Sequence, residues 1–433
     1  MAGANRKDMA NPRTLPVVGH VHDLSSSILP STDLPAELIS VILEDYKPLD
    51  TWGADIDTRN MFRERTHTLA QFRLISKSWY HCITPIIYST LLICTGDADI
   101  ERRLQGVKYH PQLIRTVILL GQERNVEAGL RVLLPKYLTS CLTECPNLQR
   151  FEIVEPDDVF GIFSKGTMER ILRSPNLPHP TSLTLRSLTP HTLETSFPYA
   201  LRALGPMMAE LRELEIHSGA HAFLNPPYFQ FPRRLPFLES LSITGLGPPA
   251  FRKMLSSVGK HKRVRGHNPC ISHPLRHLSI CWRSAEMNKG LFDCILINDI
   301  SSHLTSLHIY GLGVSYFGND VDGPPSQLLR LCPRLNEFFY FCPSMTSYLD
   351  NLPPTLTTLG VYLTNSHHVV GQYLSSPSQL LPLITTSNLR RNIKKLLVGR
   401  EAETFQPGGS VGALEVACHG VGLELELRYL GEP

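Results

Sequence analysis

Apolar residues recur in one pattern from about residue 110 to the end of the chain. An apolar residue is followed three positions later by a second and two positions after that by a third, as in Leu275, Leu278 and Ile280. The last two alternate with polar residues, which is the pattern of a β-strand with one buried face. Each copy therefore predicts a strand. The ten copies begin at residues 114, 148, 180, 211, 238, 275, 304, 335, 356 and 393.

The regular return of this pattern predicts a solenoid over residues 94–433. The copies are spaced by about 31 residues on average, and they follow the L-x-x-L-x-L form that is typical of leucine-rich repeats. One repeat cannot bury its apolar face alone, so neighbouring strands must stack. The segments between strands can hold helices, as at 129–141, 195–208 and 290–302. We expect an α/β fold with parallel strands, helices or loops on the convex side, and a capping strand within 414–430.

A short amphipathic helix is predicted ahead of the repeats. Residues 31–33 offer capping side chains, and Pro35 suits the first helical turn. Residues 1–30 show no helical or strand period and are predicted to form a flexible tail. Residues 47–66 are polar and are interpreted as an insertion. The helix itself follows from apolar residues at helical spacing: Leu34, Leu38, Ile42 and Leu43.

A second helical segment is predicted from an apolar stripe that passes through Leu69, Phe72, Ile75 and Trp79. Pro85 should end or bend this helix, because proline lacks the amide hydrogen that a helix interior needs. The apolar run at 86–93 then predicts a strand. The region from 31 to 93 is therefore expected to be a small helical domain.

Composition narrows the classes of function. The chain has 42 Lys and Arg against 39 Asp and Glu, a net charge of +3, which argues against a general binder of nucleic-acid phosphates. No stretch is apolar enough to span a membrane, and the N-terminus lacks a secretory h-region, so we expect neither a membrane nor a secreted protein. Ten cysteines in a chain of this length predict buried thiols in a reducing compartment. We expect no metal site and no cofactor, because no set of ligands has the required spacing.

Residues 34–93 resemble the F-box motif. The segment 85–93 is similar to the exit of the motif in many fungal members of that family, and the repeats downstream match a common family architecture. The link at 47–65 is longer than the family's usual link between the two halves of the motif. The matching residues are Leu34-Pro35-x-Glu37-Leu38 and Ile42-Leu43 in the first half, and Phe72-Arg73-Leu74-Ile75-Ser76-Lys77-Ser78-Trp79-Tyr80 in the second.

This resemblance implies a substrate-recognition subunit of a Skp–cullin–F-box ubiquitin ligase. F-box proteins dock through their helical bundle onto a Skp-type adaptor, and the downstream domain holds the protein to be ubiquitinated. A unit this small cannot bury all of its apolar side chains internally, which agrees with docking, although packing against the first repeat would also cover them. The residues expected to bind the adaptor are Leu34, Pro35, Leu38, Ile42, Leu43, Leu74, Ile75 and Trp79.

The open side of the predicted sheet is the expected surface for the unknown protein substrate, since solenoids usually bind partners there. Side chains at these positions change along the stack from acidic and polar to aromatic. Exposed aromatic clusters are frequent binding anchors, whereas a covering C-terminal helix or loop would make this cluster part of the core. The candidate substrate-binding residues are Glu215, His217, His308, Tyr310, Phe339, Phe341 and Tyr362.

Catalytic signatures give no support to an enzyme. The sequence has no G-x-x-x-x-G-K-[ST] phosphate loop and no H-E-x-x-H zinc motif. We therefore expect a non-catalytic subunit in the cytoplasm, the nucleus or both. The main alternative is a leucine-rich-repeat scaffold for protein interaction outside any ligase, with the helical domain as its N-terminal cap. A hydrolase whose active site is assembled from distant residues is a third reading.

Overall fold

A computed structural model gives the fold of the 433-residue chain. The tail at 1–30, the helix predicted at 129–141 and Phe341 lie outside the residues that it describes, as do most residues of the other two helices predicted between strands. The described residues are 34–43, 56–94, 107–120, 143–154, 179–188, 205–218, 235–244, 248–258, 275–282, 295, 300–311, 328–340, 352–363, 392–400 and 410–429.

Three α-helices form a helical unit ahead of the sheet: α1 is Ala36–Ile42, α2 is Ile56–Phe72 and α3 is Lys77–Ser89. Phe72 meets the Trp79 ring edge-on, with the ring centroids 5.5 Å apart. Burial of apolar side chains of this size stabilises by about 1.5–3 kcal/mol each, so this small core holds the three helices together. The core consists of Ile39, Leu43, Leu69, Trp79 and Ile83.

The second predicted helix is two helices in the structure. The chain leaves α2 after Phe72, and the hydroxyl of Ser76 accepts a hydrogen bond of 3.4 Å from the backbone N–H of Trp79 at the start of α3. The apolar stripe continues at helical spacing across this break, which is why periodicity alone missed it. The polar segment interpreted as an insertion at 47–66 is helical from Ile56 onward, where it belongs to α2; residues 47–55 lie outside the described ranges.

Pro85 does not end its helix, which was one of the two outcomes predicted for it, and Pro35 lies just ahead of the first helical turn. Pro35 is the N-cap residue of α1 and not part of its first turn, and no side chain caps this helix. Pro85 lies inside α3, which continues to Ser89, so the strand predicted at 86–93 is wrong in its first half. An interior proline costs about 3 kcal/mol. Burial of Trp79 and Ile83 in the same helix offsets that cost.

Twelve strands form one sheet in which every neighbouring pair is parallel. The order of strands in the sheet follows their order in the chain. Strands β2 to β11 coincide with the ten predicted copies, which confirms the α/β class and is compatible with a solenoid-like arrangement. The strands are β1 Thr90–Cys94, β2 Thr116–Leu120, β3 Arg150–Val154, β4 Ser182–Leu188, β5 Glu213–Ser218, β6 Ser240–Thr244, β7 His277–Trp282, β8 Ser306–Gly311, β9 Glu337–Tyr340, β10 Thr358–Leu363, β11 Lys395–Arg400 and β12 Glu424–Tyr429.

The capping segment predicted at 414–430 is half correct. Strand β12 pairs with β11, but the residues before it form an α-helix. Gly422 makes the turn between this helix and β12 with φ of +73°, a conformation that favours glycine. Further helices whose bounds the structure gives are α4 Pro248–Leu255, α5 Ser410–Gly420 and the 3₁₀ helices Pro111–Leu113, Gly205–Glu210 and Ser301–His303.

A repeated backbone contact joins each repeat to the next. The carbonyl oxygen of Arg115 accepts hydrogen bonds from the N–H groups of Gln149 (2.7 Å) and Arg150 (3.0 Å). The same double acceptance recurs at every step from β2 to β11. It fixes the register of the strands, because each strand begins opposite the same position of its neighbour.

The sheet has two faces with different chemistry. The predicted apolar strand positions point to one face, as with Leu278 and Ile280, and form a continuous main core that runs from Ile93 to Cys418. The intervening positions point to the opposite face, which we call the second face. Its central column, in register from β3 to β9, is Glu152, Thr184, Glu215, Ser242, Ser279, His308 and Phe339.

Candidate functional site

Helix α1 exposes more of its large apolar side chains than it buries. Ile39 points into the core of the helical unit, whereas Leu38 is 51% exposed. The neighbouring apolar side chains Leu34, Val41 and Ile42 are exposed as well. Isolated exposed apolar residues are common, but several on one helix of seven residues form a surface that suits a partner.

The turn between α2 and α3 presents two more apolar side chains. Backbone hydrogen bonds from the N–H of Leu74 to Gln71 (3.0 Å) and from the N–H of Ile75 to Phe72 (3.1 Å) build the turn. Arg73 lies over the ring of Tyr80 at 4.5 Å and ties the turn to α3. The turn is thus ordered although Leu74 is 86% exposed. We define the apolar patch as Leu34, Leu38, Val41, Ile42, Leu74 and Ile75.

The structure divides the residues predicted to bind an adaptor. Leu43 and Trp79 are buried in the core of the helical unit, so their prediction as contact residues is wrong: they stabilise the unit. Val41 was missed, although it lies three residues after Leu38 on the exposed side of α1. The predicted residues that are exposed are Leu34, Pro35, Leu38, Ile42, Leu74 and Ile75.

The N-terminal end of the second face is buried. Phe62 of α2 packs against an apolar cluster on this face, so the helical unit contacts the sheet there. Glu152, the next residue of the central column on β3, is also fully buried. A ligand has no access to this end of the face. The cluster consists of Leu92, Cys94, Ile118, Leu120 and Val154.

The centre of the second face is buried on β9 to β11 as well. Phe339 is only 2% exposed, so its prediction as an exposed aromatic anchor is wrong. Its ring occupies the space that a Cβ at Gly360 would need, so the glycine on β10 makes room for it. Leu397 on β11 is fully buried on the same face. Tyr310 and Tyr362 lie in β8 and β10, but the structure describes no side-chain surroundings for them.

An ion-pair network occupies β3 to β5 of the second face. Glu152 lies between Arg150 (Nη2–Oε2, 3.3 Å) and Arg186 (Nε–Oε1, 3.6 Å). Arg186 also reaches Glu215 (Nη2–Oε1, 3.3 Å). Burial raises the pKa of the Glu152 carboxyl, and the two arginines oppose that rise. The network thus holds a carboxylate in a place where water cannot solvate it.

His217 and Glu215 form the accessible end of this network. Burial alone would raise the pKa of Glu215, but the hydrogen bond from His217, with help from Arg186 and Thr184, lowers it to about 2. The other ring nitrogen of His217, Nδ1, lies 2.9 Å from the hydroxyl of Thr244. The sequence-predicted pair Glu215 and His217 therefore does meet on the second face, and Glu215 is a stable anion there.

A second polar group lies on β8 and β9. The hydroxyl of Ser306 lies 3.2 Å from Nε2 of His308 and 3.1 Å from Oε2 of Glu337. Nε2 of His308 also lies 3.3 Å from Oε1 of Glu337. In a catalytic triad the hydroxyl and the carboxylate contact different ring nitrogens. Here both contact Nε2, so these three residues do not form a triad.

Other reactive groups give no catalytic site in the described part of the chain. Burial raises the pKa of the Cys145 and Cys332 thiols to about 12, which makes them inert packing groups. The sequence contains one G-x-S-x-G match, at 408–412. That motif needs a sharp strand-to-helix turn; α5 begins at Ser410, and residues 401–409 ahead of it lie outside the described residues.

The described residues show neither a metal-ligand cluster nor a membrane-spanning helix. No group of three or more His, Cys, Asp or Glu side chains is placed to hold a metal ion. None of the described helices is long and apolar enough to cross a membrane.

No protein-family model matches the chain, and no curated protein matches its sequence.

Proposed function

We propose that this protein is a substrate-recognition subunit of a Skp–cullin–F-box ubiquitin ligase. In this proposal the helical unit binds a Skp-type adaptor, and the second face of a leucine-rich-repeat-like sheet binds the target protein. The chain supplies no catalytic residue, because ubiquitin transfer belongs to the partner subunits, and it works in the cytoplasm, the nucleus or both.

The apolar patch is the observation that carries the proposal. Its six side chains remain exposed although the helical unit has a complete core of its own. Five of its six residues, all but Val41, are among those through which the F-box resemblance assigns adaptor contact. Burying one such side chain stabilises by about 1.5–3 kcal/mol, so a partner that covers the patch gains several kcal/mol.

Loss of adaptor binding in a patch variant is the direct test. We expect Leu38→Asp to abolish co-purification of a Skp-type adaptor, because a carboxylate would be buried at the interface without a partner. Leu331→Asp is the matched control, since Leu331 is 47% exposed ahead of β9, far along the chain from the helical unit. The double variant Leu34→Ala with Pro35→Ala should weaken binding as well.

A loss of adaptor binding in Leu38→Asp can be assigned to the interface, because Leu38 lies outside every described buried cluster and its replacement should not disturb the fold. Leu38→Asp and Leu331→Asp should both keep the wild-type circular dichroism and unfolding midpoint. Adaptor binding that survives Leu38→Asp at the wild-type level would show that the patch is not the docking surface.

One observation favours the alternative of an interaction scaffold outside any ligase. Phe62 packs the helical unit onto the first three strands, as a simple N-terminal cap would. The same experiment separates the two functions. If the wild-type chain itself fails to retain any Skp-type adaptor, the scaffold function replaces the ligase function.

A further inference from the structure

The middle of the second face is accessible. Side chains on both sides of it are buried, at β1 to β3 and at β9 to β11, and the face is exposed again at β12, where Lys395 pairs with Glu424 and Glu426. Between them, Glu213 and His277 are exposed, and Ser242 and Ser279 are partly exposed. We define the middle strip as the second-face positions of β5 to β8 together with Glu337 at its far margin.

The middle strip has a trough of small side chains at its centre. These are Ser240 and Ser242 on β6 and Ser279 on β7, and the exposed His277 lies opposite Ser240 at the start of β7. Larger side chains stand on either side, His217 on β5 and His308 on β8. The backbones of β5 and β8 are three strand spacings apart, or about 14 Å. This is wide enough for one segment of polypeptide, and the serine hydroxyls can exchange hydrogen bonds with its backbone.

With its three histidines neutral, the strip carries only negative formal charge. Its carboxylates are Glu213, Glu215 and Glu337, and no lysine or arginine occupies a described position of the strip. The nearest arginines on this face are Arg150 and Arg186 on β3 and β4; both contact Glu152, and Arg186 also contacts Glu215, so the partner's cations are placed at Glu213 and Glu337. The negative charge of the strip, beside its serine hydroxyls, therefore complements the positive charge of a cationic partner.

We propose that the middle strip binds an extended segment of the target protein that carries lysine or arginine. The cationic side chains lie towards Glu213 and Glu337, and the backbone of the segment crosses the serine floor. This inference rests on the proposed function only in calling the bound protein a ligase target. The charge and shape of the strip apply equally to a scaffold.

Binding of synthetic peptides to the full-length protein tests the proposal. Three fluorescent peptides of equal length carry lysine, glutamate or glutamine at every third position of a Gly-Ser background. We expect the lysine peptide to bind tightest by fluorescence anisotropy, with an affinity that falls as salt rises. The double variant Glu213→Gln with Glu337→Gln should lose about tenfold in affinity for it.

Two further variants keep the result specific. Glu239→Gln is the matched control: this carboxylate pairs with Arg212 (2.6 Å) ahead of β6, outside the strip, and its loss should leave peptide affinity unchanged. Ser279→Lys places a cation on the trough floor and should abolish binding of the lysine peptide. Equal unfolding midpoints of these variants and the wild type exclude a loss of fold.

The proposal is overturned if the glutamine peptide binds as tightly as the lysine peptide, or if the double variant binds like wild type. A preference for the glutamate peptide would overturn it too and would assign an acidic segment. Adaptor binding is measured on the same preparation. Failure of the peptide with an intact adaptor complex rejects only this inference, whereas peptide binding without adaptor binding rejects only the ligase function.

Discussion

Removal of the Arg186 guanidinium should leave the buried carboxylate of Glu152 with only one of its two arginine contacts. The Glu152 side chain is 0% exposed and lies between Arg186 and Arg150. Arg186→Met keeps most of the aliphatic length of the side chain and removes its charge. Loss of one partner of a buried ion pair destabilises by about 3–5 kcal/mol, and because Arg150 still contacts Glu152 we expect about 3 kcal/mol.

An exposed ion pair of the same sheet supplies the comparison. Arg212 and Glu239 lie 2.6 Å apart, but their side chains are 58% and 47% exposed. Arg212→Met removes an equal charge and should destabilise by less than about 1 kcal/mol, because water screens and replaces the pair. Burial, and not the number of charges removed, is thus expected to decide the size of the effect.

The effect of Arg186→Met should depend on pH in a defined direction. Burial raises the pKa of Glu152 in the folded protein, and Arg186 opposes that rise. Without Arg186 the folded pKa rises further above its unfolded value. A carboxyl with a raised folded pKa destabilises the fold while it is ionised, and this penalty disappears as pH falls and the group becomes protonated. The deficit of Arg186→Met against wild type should therefore shrink between pH 7 and pH 5.

Urea unfolding followed by circular dichroism measures these differences from the shift of the midpoint at constant m-value. The reasoning is refuted if Arg186→Met and Arg212→Met destabilise equally at neutral pH, or if the Arg186→Met deficit grows on acidification. Either result would mean that Glu152 is not held as a buried anion.

Three further predictions concern single groups. Gly360→Ala should lower the urea midpoint by the equivalent of about 1–3 kcal/mol because the new methyl group overlaps the Phe339 ring. Phe339→Leu in the same chain should restore part of the loss, and an unchanged midpoint in Gly360→Ala would contradict the register of β9 and β10. The pKa of Glu215 is lowered from 4.5 to about 2, so its ionised form adds stability that is complete above about pH 4.5 and is lost as pH falls towards 2. Glu215→Gln should flatten this part of the curve of unfolding midpoint against pH, and a curve identical to that of the wild type would count against the pairing with His217. Cys332, with a pKa of about 12, should resist thiol reagents at pH 8 in the native protein and react after unfolding, and fast native labelling would contradict its burial.

The strands were predictable because their signal is local and repeated. Each copy carries two apolar residues at alternate positions, as Leu278 and Ile280 do, and this alternation is enough to place a strand and its buried face. The register across the sheet followed from the same positions, since each apolar column must stack. The break between α2 and α3 was not predictable in this way, because Ser76 caps a helix through a single hydroxyl within a continuous apolar stripe.

Exposure was the property that the sequence could not supply. Leu38 and Leu43 have the same chemistry and belong to the same predicted helix, yet one is half exposed and the other is in the core. Phe339 looked like an anchor on an open face, and only the packing of its ring over Gly360 shows it to be buried. Such differences depend on contacts between segments far apart in the chain.

Hydrogen exchange of the purified chain, free and in complex with a Skp-type adaptor, tests the central claim most directly. Our account predicts slower amide exchange on complex formation in α1 and in the turn at 73–76, with the middle strip on β5 to β8 unchanged. A complex that leaves α1 and this turn unprotected, or that instead protects β5 to β8, would contradict docking through the apolar patch.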